Sequence, residues 1–143
     1  MLKIIKYKKK TLALIINYKK NNKRIYFPTP KYFTQQVGFI NQKKNTHISP
    51  HTHTKFLRKI YKTSEVLIVK KGKFRVDFYK NLNEYLFSKI IKKNTIIILN
   101  EGSHGFKFLE KTELIEIKQG PFSYKIDKKR FNPIDEKKIK IKK

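Results

Sequence analysis

Short β-prone runs, none of them long, constrain the fold of this chain more than any other feature. Runs rich in Ile, Val, Phe, Tyr and Thr recur about every ten residues between turn signals, which is typical of a β-sandwich or barrel rather than of alternating strands and helices. We therefore predict an all-β fold with little helix. The expected strands are residues 12–18, 24–27, 35–41, 47–53, 56–61, 65–71, 73–80, 84–91, 95–99, 104–108 and 112–119.

The clearest strand pattern is an alternation over residues 73–79. One face would be apolar and the other polar, as expected for a sheet with one buried side. Gly72 precedes the run and indicates a hairpin turn. The apolar face is Phe74, Val76 and Phe78, and the opposite face is Arg75, Asp77 and Tyr79. The expected core includes Val37, Phe39, Val66, Ile68, Phe74, Val76, Ile97 and Phe106.

Length and composition favour one domain. The chain has 143 residues and no Cys, so a disulfide framework or a thiolate zinc site is impossible. The longest uninterrupted apolar run, residues 12–16, is too short for a membrane span or a signal-peptide core. We expect a cytoplasmic protein with a compact region of about 12–124, a solvated basic arm at 1–11 and a solvated basic tail at 125–143.

The net charge of +26 suggests a polyanion partner, but its origin weakens that interpretation. Lys supplies 32 of the 36 cations and Arg only four, in a chain with 20 Ile, 10 Asn and one Ala. These residues have A/T-rich codons, so nucleotide bias alone raises Lys everywhere. Arg, not Lys, is favoured for bidentate recognition of phosphate or guanine. We expect no specific nucleic-acid partner and no membrane partner, and we keep non-specific polyanion binding as an alternative.

The histidines carry the chemical signal. His47, His51 and His53 fall within seven residues, and His104 stands about fifty positions later. If the segment is extended, His51 and His53 project from the same side, because side chains of a strand alternate. Two imidazoles on one face can bind one metal ion. A His-x-His by itself is more often a pair of surface polar residues.

The order of the features that follow resembles the two-motif signature of the cupin superfamily. The first motif is Pro50-His51-Thr52-His53, then Glu65 with six residues before Gly72, and the second is residues 100–106, Asn-Glu-Gly-Ser-His-Gly-Phe. The resemblance covers residues 36–119. Eleven residues, 54–64, separate His53 from Glu65, which predicts an inserted hairpin or loop. The chain is similar to small single-domain bacterial cupins, a group without an established activity.

This resemblance implies an antiparallel jelly-roll barrel and a metal site inside it. By position, His51 and His53 correspond to the first-motif histidines, Glu65 to the carboxylate, and His104 to the second-motif histidine. Such a set would bind one divalent transition metal: iron, manganese, nickel, zinc or copper. Affinity would weaken at acid pH, because a protonated imidazole cannot ligate.

Three further charged residues are pocket candidates. Glu116 and Lys118 share a face of the strand predicted at 112–119, where they would lie at a pocket mouth or form an exposed ion pair. Arg58 is one of only four arginines and could clamp a carboxylate or phosphate, although most such residues are ordinary surface charges.

Two functions remain beside the polyanion alternative. The first is a metal-binding cupin, either an enzyme or a protein that holds a small polar ligand such as a sugar or an acid. The second is a metal-free barrel of the sugar-nucleotide epimerase type, in which a pocket His is the base and Tyr61 or Tyr79 the acid. The sequence assigns no catalytic residue and does not give the substrate. Exposed sheet edges are compatible with a homodimer.

Overall fold

Ten β-strands form most of the regular structure in the computed structural model, which describes residues 2–20, 23–123 and 126–143. Strand accounts for 42% and helix for 4% of the residues that the structure describes, so the predicted all-β class is confirmed. The helices are two single 3-10 turns, Tyr18–Lys20 and Glu136–Lys138. The strands are β1 Leu2–Tyr7, β2 Lys10–Asn17, β3 Ile25–Tyr26, β4 Phe39–Ile40, β5 Glu65–Lys71, β6 Lys73–Tyr79, β7 Tyr85–Lys92, β8 Thr95–Leu99, β9 Ser103–Phe108 and β10 Glu113–Lys118.

Antiparallel pairing joins these strands into three sheets. The largest has five strands in the order β1-β2-β8-β5-β10, the second has three in the order β7-β6-β9, and β3 pairs with β4 alone. Gly72 makes the tight turn between β5 and β6 with φ of +83°, a conformation that glycine adopts without a steric penalty. No sheet formed by the described residues closes into a barrel.

The main core lies between the five-stranded and three-stranded sheets. Leu67 and Ile97 from the larger sheet meet Phe74 and Val76 from the smaller one, and all four are fully buried. Burying one such side chain contributes about 1.5–3 kcal/mol. Val66, Phe74, Val76 and Ile97 confirm the expected core, whereas Phe106 is exposed on β9.

The other face of the five-stranded sheet is also aliphatic. Across β2, β8 and β5 it carries a second cluster, which the irregular chain before β4 covers with Phe33. Both faces are therefore apolar near the middle of this sheet. For this reason the sequences of its central strands are continuous hydrophobic runs and do not alternate between apolar and polar residues. The buried members of the cluster are Leu14, Ile16, Phe33, Val66, Ile96 and Ile98.

The N-terminal residues differ from the expected solvated arm. Leu2–Tyr7 forms β1, which pairs with β2 along its length and buries Ile5 in the main core. The sequence did not predict this strand, because lysines separate its apolar residues and the segment has the composition of a solvated arm. Lysine on an edge strand discourages pairing with another chain and does not prevent the strand from forming.

The C-terminal tail is likewise part of the folded unit. Phe131 packs on Tyr79 with ring centroids 5.0 Å apart, and Glu136 pairs with Arg75 on β6. Further along, Ile141 forms a parallel bridge with Ser88 of β7. This C-terminal segment, residues 131–141, covers the face of the three-stranded sheet that was predicted to be exposed. Arg75, Asp77 and Tyr79 are therefore buried, and β6 is covered on both faces.

Two predicted strands are absent from the region before β5. Residues 47–53 and 56–61 have no regular structure and are exposed throughout. They have the composition of strands, but no neighbouring strand pairs with them, and an unpaired strand is not stable in water. The irregular stretch includes residues 54–64, where the sequence predicted an inserted hairpin or loop, and it is a loop.

Candidate functional site

Glu65 and His104 are the two predicted site residues that the fold brings together. Glu65 begins β5 in the five-stranded sheet, and His104 is the second residue of β9 in the three-stranded sheet. The two sheets face each other, so residues near these strand starts meet across the interior. His104 Nε2 lies 2.9 Å from Glu65 Oε2, and the Glu65 side chain is only 7% exposed.

The environment of Glu65 favours its ionised form. The hydrogen bond from His104 lowers the pKa of Glu65 from its ordinary value of 4.5 to about 2, against the opposing effect of burial. Lys128 contributes in the same direction, with its Nζ 3.3 Å from Glu65 Oε1. Each carboxylate oxygen therefore has a cationic or hydrogen-bonding partner, as a buried carboxylate requires.

A cavity of about 720 Å³ opens beside this pair. Its volume is within the range of small-molecule sites in proteins. The described lining residues combine charged groups with aromatic rings, so the cavity offers both apolar contact and charge. The cationic side chains are Lys62, Lys118, Lys128, Lys129 and Arg130, the acidic ones are Glu65, Asp77 and Asp127, and the aromatic ones are Tyr61, Tyr79, Phe106 and Phe131.

Two of the three acidic groups in the wall are already neutralised within the protein. Glu65 is paired as described above. Asp77 accepts two hydrogen bonds from the guanidinium of Arg75 and a third from the hydroxyl of Ser88. With five cationic and three acidic side chains, the described lining has a net positive charge, which favours an anionic ligand over a cationic one.

Tyr79 also lines the cavity, from the face of the three-stranded sheet opposite to that of His104. Burial raises the pKa of Tyr79 above its ordinary value of 10.0, so this hydroxyl keeps its proton at neutral pH. Its oxygen accepts a hydrogen bond from the backbone N–H of Ile134 at 3.1 Å. That contact leaves the O–H hydrogen available for donation.

His51 and His53 lie elsewhere, on the exposed loop before β5. Their ring centroids are 5.3 Å apart, so the two imidazoles are neighbours, although the strand that was expected to align them is absent. Neither residue is among those that line the cavity. Within residues 2–20, 23–123 and 126–143, no group of three or more His, Cys, Asp or Glu side chains is placed to hold a metal ion. The four-ligand metal site therefore stays a prediction.

The three pocket candidates have different surroundings. Lys118 lines the cavity, and its Nζ is 3.4 Å from Glu116 of the same strand face. The predicted ion pair of Glu116 and Lys118 therefore exists at the cavity rim. Arg58 is exposed on the loop, where its guanidinium stacks 3.6 Å from the ring centroid of Phe56, and it does not line the cavity.

Sequence reasoning did not anticipate the contribution of the C-terminal residues. Lys128, Arg130 and Phe131 all belong to the tail that was expected to be solvated, yet they line the cavity. One signal was available in the sequence. Phe131 and Pro133 interrupt the run of charge, and an apolar residue in a basic tail indicates a contact with the folded domain.

Comparison with protein-family models, curated protein sequences and solved structures finds no match to this chain. The helical segments in the described parts of the chain are all too short and too polar to cross a bilayer.

Proposed function

We propose that the protein binds a small organic anion in the cavity and that His104, oriented by Glu65, exchanges a proton with it. The observation that carries this proposal is the 2.9 Å bond between a buried carboxylate and an imidazole in the wall of a cation-rich cavity. Histidine is the side chain that general acid-base catalysis uses most often, and a carboxylate bonded to one ring nitrogen fixes its tautomer.

The chemistry follows from the hydrogen bond. Glu65, with its pKa of about 2, is an acceptor at neutral pH, so Nε2 of His104 carries a hydrogen and donates it. The lone pair of the neutral imidazole is then on Nδ1, and that nitrogen is the base. When Nδ1 takes a proton, the adjacent carboxylate stabilises the imidazolium that forms. Tyr79 lies on the opposite face of the three-stranded sheet from His104, so we assign no second proton-transferring group.

The charge of the wall defines the ligand class. Lys118, Lys128 and Lys129 line the cavity together, and none of these ammonium groups can accept a hydrogen bond. Lys118 already pairs with Glu116 and Lys128 with Glu65, and a carboxylate or phosphate group on the ligand would be a further acceptor for these two and for Lys129. The aromatic rings of Phe106 and Phe131 form an apolar surface against which an apolar group or a sugar ring of the ligand could pack. The proposed ligand is therefore a small organic acid or a phosphorylated sugar.

The predicted cupin-like jelly roll is part of this proposal. The resemblance implied that Glu65 and His104 would meet although they are 39 positions apart, and their hydrogen bond supports that expectation. The antiparallel pairing of every strand also supports it. In this interpretation the metal-free, isomerase-type function becomes the leading one.

A second candidate is the predicted divalent metal site. Glu65 and His104 place one carboxylate and one imidazole side by side, which favours it. The positions of His51 and His53 do not fit, because they do not line the cavity, so we derive no chemistry through a metal. Elemental analysis of purified protein tests this candidate. Stoichiometric iron, manganese, nickel, zinc or copper that disappears in both His51→Ala and His104→Ala would support it.

Thermal denaturation with added ligands tests the main proposal. A ligand that binds only the folded state raises the melting temperature as its concentration rises. We expect small carboxylates or sugar phosphates to stabilise the wild type and His47→Asn, a control on the exposed loop, but to stabilise His104→Asn and Lys118→Ala less. If no anion of a panel covering both classes stabilises the wild type beyond the effect of ionic strength, the proposal is wrong.

A further inference from the structure

The strand β10 is an edge of the five-stranded sheet with an exposed aliphatic surface. Among the described strands, β5 is its only hydrogen-bonded neighbour. Ile115 and Ile117 lie opposite Ile68 and Val66 of β5, so they extend the aliphatic outer face of the sheet to its edge. Both isoleucines are about half exposed, at 46% and 48%. An edge strand of this kind is a template for pairing with another chain.

The charges on β10 distinguish it from the other open edges. The edge strand β1 carries Lys3 and Lys6 without an acid, and β9 carries His104 and Lys107 without an acid. Neither strand can place an acid opposite a cation when it pairs with its own copy, so neither offers an ion pair across the axis. By contrast, β10 contains both Glu116 and Lys118. It is therefore the edge of this basic protein that suits a second copy of itself.

We propose that β10 pairs antiparallel with β10 of a second copy, with the two-fold axis at Ile117. Residues opposite each other across such an axis must share a sheet face, which limits the register to a few choices. With the axis at Ile117, Glu116 lies opposite Lys118 of the other copy, and Ile117 lies opposite itself. An axis at Glu116 would instead oppose two glutamates, and an axis at Ile115 would place Glu116 opposite an apolar Leu114.

This register gives a closed, symmetric assembly. Two Glu116–Lys118 pairs form across the axis, because each copy contributes one of each charge. The exposed Ile115 and Ile117 of both copies become a continuous aliphatic row on one face of a ten-stranded sheet. The ladder is limited at its end by Pro121, which has no N–H to donate. Lys118 also lines the cavity, but the assembly can be measured without any ligand, so it can fail independently of the proposed function.

Cysteine cross-linking tests the register directly, because the chain has no Cys of its own. Ile117→Cys places two sulfurs opposite each other at a Cα separation of about 4.5–5.5 Å, within the range of a disulfide. We expect mild oxidation to convert most of this variant to a covalent dimer. The matched controls are Ile115→Cys on the same strand and Ile4→Cys on the β1 edge, where Ile4 is also 48% exposed. Both should stay largely without a covalent cross-link, and equal cross-linking of all three variants would overturn the register.

Charge exchange tests the assembly without a covalent bond. Light scattering should show a dimer for the wild type, a monomer for Glu116→Lys, and a dimer again for Glu116→Lys combined with Lys118→Glu, because the double change restores both pairs. Circular dichroism checks that each variant is folded. A monomeric wild type at all concentrations, or a Glu116→Lys variant that is folded and still dimeric, would contradict the proposal.

Discussion

The guanidinium of Arg75 and the carboxylate of Glu136, 61 positions apart in the chain, form a two-bond ion pair with N···O distances of 2.8 and 3.0 Å. The same guanidinium donates to both oxygens of Asp77 at 2.7 and 3.0 Å. These hydrogen bonds raise the pKa of Arg75 and lower the pKa of Glu136 to about 2. Arg75 therefore connects β6 to the C-terminal segment through charge-assisted hydrogen bonds.

Replacing Arg75 with Met should destabilise the fold by about 3 kcal/mol. The change leaves Asp77 buried without its cation, and an uncompensated buried charge costs about 3–5 kcal/mol. The hydrogen bond from Ser88 to Asp77 remains and reduces the loss. Urea unfolding at neutral pH measures the effect. The matched control is Lys80→Met, which breaks an exposed pair with Glu84 and should cost much less than the change at Arg75. Equal losses of unfolding free energy in the two variants would show that burying the Arg75 ion pair makes it no more stabilising than an exposed pair.

Replacing Gly72 with Ala should destabilise the β5–β6 turn by at least about 2 kcal/mol. The backbone at Gly72 has φ of +83°, and an added Cβ would lie 2.4 Å from the carbonyl oxygen of Lys111. Both the conformation and the contact with backbone disfavour alanine. Gly105→Ala is the control, because a Cβ there meets its nearest atom, on the Tyr79 ring, at 4.0 Å. Thermal unfolding should separate the two variants, and a melting temperature for Gly72→Ala as high as for Gly105→Ala would contradict this account.

The local sequence pattern predicted most of the strands, because in this chain the strands coincide with runs of hydrophobic residues that are bounded by turn residues. The strands β5 to β10 lie where the sequence placed them, and Gly72 makes the expected turn. Residues 47–53 have the same composition but no partner strand. Pairing is a tertiary property, so composition alone could not separate this loop from a strand.

The two ends show a different limit of sequence reasoning. The composition of a lysine-rich segment predicts that it is solvated. In the structure, however, Ile5 packs in the core and holds the N-terminal segment to the fold, and Phe131 packs on Tyr79 and holds the C-terminal segment. Each terminal segment has few apolar residues, and the surfaces on which these residues pack exist only after the sheets have formed. For the same reason, the sequence did not predict that Lys128 lines the cavity. Sequence predicted that Glu65 and His104 would meet, because that expectation came from the order of two motifs rather than from local pattern.

Binding to duplex DNA should be weak, independent of sequence and abolished by moderate salt. The net charge of +26 attracts phosphate, but only four of the 36 cations are arginines. Affinity that comes from released counterions falls steeply with salt concentration. Fluorescence anisotropy with two labelled duplexes of unrelated sequence, titrated at increasing salt, measures both properties. Tight binding to one duplex at physiological ionic strength would contradict the interpretation that the charge is compositional.

Acid should weaken the fold through Glu65, and the direction follows from its pKa. The pKa falls from 4.5 in the unfolded chain to about 2 in the folded protein, so folding favours the carboxylate. This contribution is complete above about pH 4.5 and is lost as the pH falls toward 2. A shift of this size corresponds to about 3 kcal/mol.

Glu65→Gln removes the titrating group, so the variant should be less stable than the wild type at pH 6 and nearly as stable at pH 2. Urea unfolding at intervals between these values measures the difference. Glu110→Gln is the control, because Glu110 forms an exposed pair with Lys73 and should contribute less than about 1 kcal/mol at any pH. His104→Gln should lose part of the same acid dependence, since His104 is the first partner of the carboxylate. A stability difference for Glu65→Gln that stays constant from pH 6 to pH 2 would mean that the buried carboxylate is not stabilised by its bond to His104.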